Sequence, residues 1–96
     1  MKRWIATLVL AALFAGGALA YEHVRRMALV GAGYVAKEVC SCVFVGGRSL
    51  ASCRGDVPAS MDRVQAEQLP DGVRAFVTFF AERVASYDPA FGCTLH

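Results

Sequence analysis

Lysine is almost missing from this sequence: of its 10 basic residues only Lys2 and Lys37 are lysines. A serine nucleophile activated by lysine needs that lysine one helical turn away, as Ser-x-x-Lys, to take its proton. None of Ser41, Ser49, Ser52, Ser60 or Ser86 has lysine three residues on. Lys-Thr-Gly, Tyr-x-Asn and Gly-x-Ser-x-Gly are absent as well. Histidine is equally scarce. His23 borders an apolar segment and His96 is the last residue, so they read as an interfacial residue and a solvated end rather than as members of a Ser-His-Asp or Cys-His set. Gly16-Gly17 lies inside an apolar run and Gly31-Ala32-Gly33 follows no strand pattern, which removes a glycine-rich phosphate loop. No repeat, heptad or low-complexity tract is present. No catalytic, cofactor-binding or metal-binding residue is assigned.

A charge excess is missing too. The net charge is +2; Lys2 and Arg3 account for it, and the remaining basic residues are matched by acidic ones. No basic stripe is left for a phosphate backbone, which excludes nucleic acid as a partner. Asp62, Glu67 and Asp71 read as solvent-face and turn residues rather than as an acid–base pair. Arg54-Gly55-Asp56 spells an adhesion tripeptide but is explained by turn chemistry.

What the chain has in abundance is apolar surface, 56% of 96 residues. Lys2 and Arg3 precede an uncharged run from Trp4 to Tyr21. Basic head, apolar centre and small-residue tail make a secretory signal, with Ala18-Leu19-Ala20 as a cleavage candidate. At about 1.5 Å per residue the run reaches roughly 27 Å, close to a bilayer core of about 30 Å. Its length, and its continuation from Val24 to Val35 with only Arg25 and Arg26 as charges, favour an uncut anchor in the membrane through residues 4–21. Arg25 and Arg26 beyond the run weaken the orientation signal of Lys2 and Arg3. Residues 1–30 are thus the anchor and juxtamembrane segment, and 31–96 a small α+β segment. So few residues build a marginal core without a staple, a metal or a partner.

Within 31–96, Ala32, Val35, Ala36, Val39 and Val43 recur at helical spacing. The spacing predicts a second short helix over Tyr34–Val45, ended by Gly46-Gly47, with Arg48 near its C-terminus. Val64, Ala66 and Gln68 alternate with charged or polar neighbours. Pro70-Asp71-Gly72 is a turn, in which Asp-Gly accepts positive φ. From Val73 the alternation continues through Ala81, and Ala81–Tyr87 adds a third strand. The expectation is an antiparallel meander from about Arg63 to Tyr87, with Phe76 and Phe80 on a side that needs a cover. Small sheets alone are poorly stable, so the segment reads as an incomplete domain.

The four cysteines, Cys40, Cys42, Cys53 and Cys93, read first as disulfides, since they follow a secretory segment. Three pairings remain open. A metal site is disfavoured, because a Cys-x-Cys on a helix turns its thiols about 200° apart and no Cys-x-x-Cys exists.

Two segments carry a resemblance. Ala36-Lys37, Cys40-Ser41, Val43-Phe44-Val45 and Gly47-Arg48 resemble the "AK-x-x-CS-x-x-FV-x-GR" segment that follows the membrane anchor in a group of bacterial serine hydrolases. That group is related to class C β-lactamases and to 6-aminohexanoate-dimer amide hydrolases. Ala85–Leu95, reading ASYDPAFGCTL, resembles the group's "A-x-Y-x-x-G-x-GCTL", with Pro89-Ala90 at the usual small or glycine position. Gly46 stands where the group usually has serine, and Cys42, Cys53 and residues 49–60 lie outside the pattern. Cys40 and Cys93 sit in the two resembling segments, which implies a Cys40–Cys93 disulfide and leaves Cys42–Cys53 as the second. The resemblance implies hydrolysis of an amide or ester through an acyl-serine for the complete enzyme. It covers most of residues 33–95, and no catalytic residue transfers.

The expectation is therefore the membrane anchor and leading segment of a periplasmic hydrolase, held in the bacterial inner membrane or secreted if cut after Ala20. The end at Cys93-Thr94-Leu95-His96 fits a truncated, frameshifted or split reading frame. On that reading the Phe76/Phe80 surface meets the missing hydrolase domain; the alternative is a stand-alone, membrane-tethered accessory protein that uses it to bind a partner or itself. A self-sufficient enzyme or metal module is disfavoured by the missing motifs.

Overall fold

The computed structural model describes residues 2–96. One helix, α1, runs unbroken over Lys2–Cys40 and passes into a π-helical turn at Ser41–Val45. A short helix α2 spans Leu50–Gly55, and a 3-10 turn covers Ala59–Met61. Four strands follow, β1 Gln65–Leu69, β2 Gly72–Val77, β3 Ala81–Asp88 and β4 Gly92–Leu95. They form one antiparallel sheet in the order β1-β2-β3-β4. The architecture is α+β, a long N-terminal helix and a short second helix with an antiparallel meander.

The second helix differs in place from the expectation. Tyr34–Val45 is not a separate element but the end of α1 and its π turn, because no proline interrupts Tyr21–Tyr34 and its glycines, Gly31 and Gly33, sit where the helix packs against Val64 and Leu95. The true second helix lies in the atypical 49–60 stretch, where the Ser49 side chain accepts from the Ser52 N–H at 3.2 Å and caps it. The helical end does fall at the glycine pair. Gly47 takes φ +68°, and the Arg48 N–H returns to the Cys42 carbonyl at 3.3 Å.

The C-terminal half of α1 is the core of the domain. Ala32, Val35, Ala36, Val39 and Cys40 are buried, as their spacing predicts, against Val73, Ala75 and Ala85 of the sheet, with Val64 and Cys53 closing the ends. Every fully buried side chain is valine-sized or smaller. Such side chains let the helix lie close to the strands but bury little apolar area each. Two disulfides compensate: Cys40–Cys93 ties the end of α1 to β4, and Cys42–Cys53 ties the π turn to α2.

The sheet departs from the expectation in three particulars. The alternating run from Val73 to Ala81 is broken by a turn at Thr78-Phe79-Phe80, closed by the Phe80 N–H on the Val77 carbonyl at 3.0 Å. A fourth strand forms at Gly92–Leu95. Gly72 does not have positive φ; it opens β2, paired with Leu69 and Ser86. A Cβ there would collide with the Ala85 carbonyl oxygen, so glycine is required by close approach.

The cover that the Phe76 and Phe80 side needs is supplied only in part by this chain. One side, carrying Ala66, Val73, Ala75, Val77, Ala85 and Leu95, packs on α1 and its core. On the other, Arg74 forms ion pairs with Glu67 at 3.2 Å and Glu82 at 2.8 Å. The Arg74 guanidinium lies over the Phe76 ring, 4.2 Å from its centroid. Phe80 turns instead to α1, its ring 5.5 Å from that of Tyr21.

Candidate functional site

The first half of α1 is long and apolar enough to cross a membrane by length and composition. Its most apolar window has a mean hydropathy of 1.9, and none of that window is buried by the rest of the chain. A signal sequence has the same character. The helix then carries this exposed stretch, without a hinge, into the buried half.

At the far end, two resembling segments meet in space. Cys40 bonds to Cys93 with Cα atoms 6.1 Å apart. Tyr87, the cross-strand neighbour of Cys93, stacks on Phe44, centroids 5.4 Å apart. These residues work as a clasp between the helix end and the β3–β4 hairpin.

Beside the clasp is a hollow of about 430 Å³ lined by Tyr34, Glu38, Ser41, Cys42, Arg48 and Asp56, among others. Its floor is the Cys42–Cys53 disulfide. Ser41 and Glu38 share this space, but neither lysine nor histidine lines it. Ser41 therefore has no proton acceptor of the lysine or histidine kind. Arg48 is engaged, donating to the Ser52 hydroxyl at 2.6 Å and pairing with Asp56. The arrangement closes the 42–53 loop.

The other residues singled out in the sequence are dispersed. In Arg54-Gly55-Asp56, Arg54 donates to the Val64 carbonyl at 2.6 Å and Asp56 pairs with Arg48, so both charges of the tripeptide are held within the domain. Glu67 pairs with Arg74. His23 and His96 are exposed, and the His96 carbonyl accepts from Arg83 Nε at 2.8 Å. Among the described residues, no group of three His, Cys, Asp or Glu side chains is placed to hold a metal ion. The Arg74 pair holds the Glu82 carboxyl below its ordinary value through a side-chain hydrogen bond and charge, and Arg74 is raised in turn.

A second hollow, about 460 Å³, lies at the β2–β3 turn. Phe76 and Phe80 both line it, with Arg74, Glu82 and Phe79. Phe79 is 90% exposed and has φ +70°, and the Tyr21 hydroxyl donates to its carbonyl at 3.1 Å. The pairing of Tyr21 with Phe79 and Phe80 has no sequence signal, because the turn contains no glycine, proline, asparagine or aspartate.

Comparison with known proteins returns no matching family model, no similar curated protein and no similar solved structure.

Proposed function

We propose that this chain is a membrane tether and a non-catalytic, disulfide-clasped leading domain of a serine hydrolase of the β-lactamase-related type. It sits in the bacterial inner membrane with residues 31–96 in the periplasm. The observation that carries the reading is the convergence of the two resembling segments. Cys40 with Cys93, and Phe44 with Tyr87, are far apart in sequence, belong to the two halves of one motif, and form a single clasp. Motif residues of this kind specify a folded module, not a reaction. Both disulfides require an oxidising compartment, which supports placing the domain outside the cytoplasm. On this reading the nucleophile and its lysine base are not among these 96 residues.

Sequencing the DNA past His96 tests the hydrolase reading. A Ser-x-x-Lys-coding stretch in any frame is expected, and its absence would remove the main support. Purified residues 1–96 are expected not to turn over a chromogenic ester or β-lactam. Carbonate extraction and protease accessibility in spheroplasts test the tether and its orientation: the chain should resist extraction, and its domain should be cut only from the periplasmic side.

A stand-alone, membrane-tethered accessory protein is the second reading. It is favoured by one observation, that α1 already covers one side of the sheet and the other carries exposed Arg74 ion pairs of an ordinary solvated surface. It requires that the chain express as a stable, protease-resistant domain without a hydrolase body.

A further inference from the structure

We propose that the β2–β3 turn is a second membrane contact, in which Phe79 enters the interfacial layer of the bilayer that α1 spans. This rests on the membrane-tethered reading above. Phe79 is 90% exposed and holds a left-handed backbone, φ +70°, a conformation that is unfavourable for a bulky residue. Glycine or asparagine would be the ordinary occupant, so an aromatic side chain is kept there against the local preference.

Position assigns the occupant. The Tyr21 hydroxyl donates to the Phe79 carbonyl at 3.1 Å, and its ring packs against Phe80. The turn is thus held level with Tyr21, the last residue of the uncharged run. Trp4 opens that run, and the two aromatic residues stand about 26 Å apart along the helix, close to the bilayer core of about 30 Å whose two borders favour Trp and Tyr. Glu22, His23, Arg25 and Arg26 follow at once, so the chain turns polar at the depth where the turn lies. Phe91 is 85% exposed as well, but it sits in the β3–β4 turn, at the Cys40 end of α1. By helix rise that end stands roughly 28 Å beyond Tyr21. Exposure alone is common to both rings; only Phe79 is at the height of the lipid interface.

The full chain in phosphatidylcholine–phosphatidylglycerol vesicles tests this. In a Trp4→Phe, Phe79→Trp variant the single indole is expected to emit to the blue of its detergent-free aqueous value. Lipids brominated high on the acyl chain should quench it more than lipids brominated near the terminal methyl. A Trp4→Phe, Phe91→Trp variant should emit as in water and escape quenching. Native Trp4 reports the tether: if brominated lipids leave Trp4 bright, the tethered reading falls and this proposal with it. If Trp4 is quenched while Phe79→Trp is not, only the turn contact is overturned. Shielding from acrylamide that grows with protein-to-lipid ratio, without bromolipid quenching, would assign the turn to a second copy and overturn it equally. Should Phe79→Trp not fold, headgroup-attached nitroxide lipid should broaden the Phe79 amide resonance of the unaltered chain beyond that of Asp71, and equal broadening would sink the idea.

Discussion

Phe44 stacks on Tyr87 one helical turn beyond the cysteine that bonds to the strand neighbour of Tyr87, so that ring pair and disulfide form two points of one clasp. Phe44→Ala removes the ring contact and leaves the covalent one. The expected loss is about 2 kcal/mol, below the range for a fully buried Phe because the ring is only half-buried. Urea titration of the oxidised domain would measure it, and Phe44→Leu should recover part of the loss.

The two disulfides close loops of unequal length, with sequence separations of 53 and 11. In the loop-entropy account they contribute about 4 and about 3 kcal/mol. A Cys40→Ser, Cys93→Ser pair should therefore lower the melting temperature more than Cys42→Ser, Cys53→Ser. With a core of valine-sized side chains, the former is also expected to broaden the thermal transition.

Gly72→Ala and Gly55→Ala make an internal contrast. A Cβ at 72 collides with the Ala85 carbonyl, which belongs to the paired strand and cannot move without opening β2–β3. The cost should reach about 3 kcal/mol, the upper end for overpacking. At Gly55 a Cβ meets nothing, and alanine should stabilise α2 by about 0.5 kcal/mol. Both are read from midpoints of denaturant unfolding.

Glu82 titrates below its ordinary value because Arg74 binds its charged form. A carboxyl with a depressed folded pKa stabilises the fold above its unfolded pKa, about 4.3. That contribution disappears as pH falls through the folded value. Glu82→Gln should flatten the acid limb of the melting-temperature profile below about pH 4.5 and leave a small loss near pH 7, since the pair is exposed.

Phe79→Gly separates stability from the turn's proposed task. Glycine relieves the φ +70° backbone at a side chain that buries almost nothing. In detergent the domain should gain up to about 1 kcal/mol, while bilayer contact at the turn is lost. A destabilised Phe79→Gly would mean that the ring packs on the domain after all.

Much of the architecture was legible because it rests on periodicity. Ala32, Val35, Ala36 and Val39 marked the buried stripe of α1, and Pro70 through Val77 marked a hairpin. Periodicity has no memory of where a helix began, so it could not tell one helix from two across Glu22–Gly33, a stretch with neither proline nor cap. The β2–β3 turn was hidden for the opposite reason. Thr78-Phe79-Phe80 are strand-forming residues, and the turn is imposed by contact with Tyr21, which lies 58 residues away. The roles of Gly72 and Arg74 were likewise tertiary, a close approach and a charge ladder that local sequence does not encode.

The continuity of α1 from its exposed apolar stretch to Cys40 has a mechanical consequence. On the tethered reading proposed above, a rod with no joint cannot let its cargo roam: tilting the domain means tilting the span in the bilayer. On that reading the clasp and the 42–53 loop are carried at one fixed altitude, a few nanometres above the lipid.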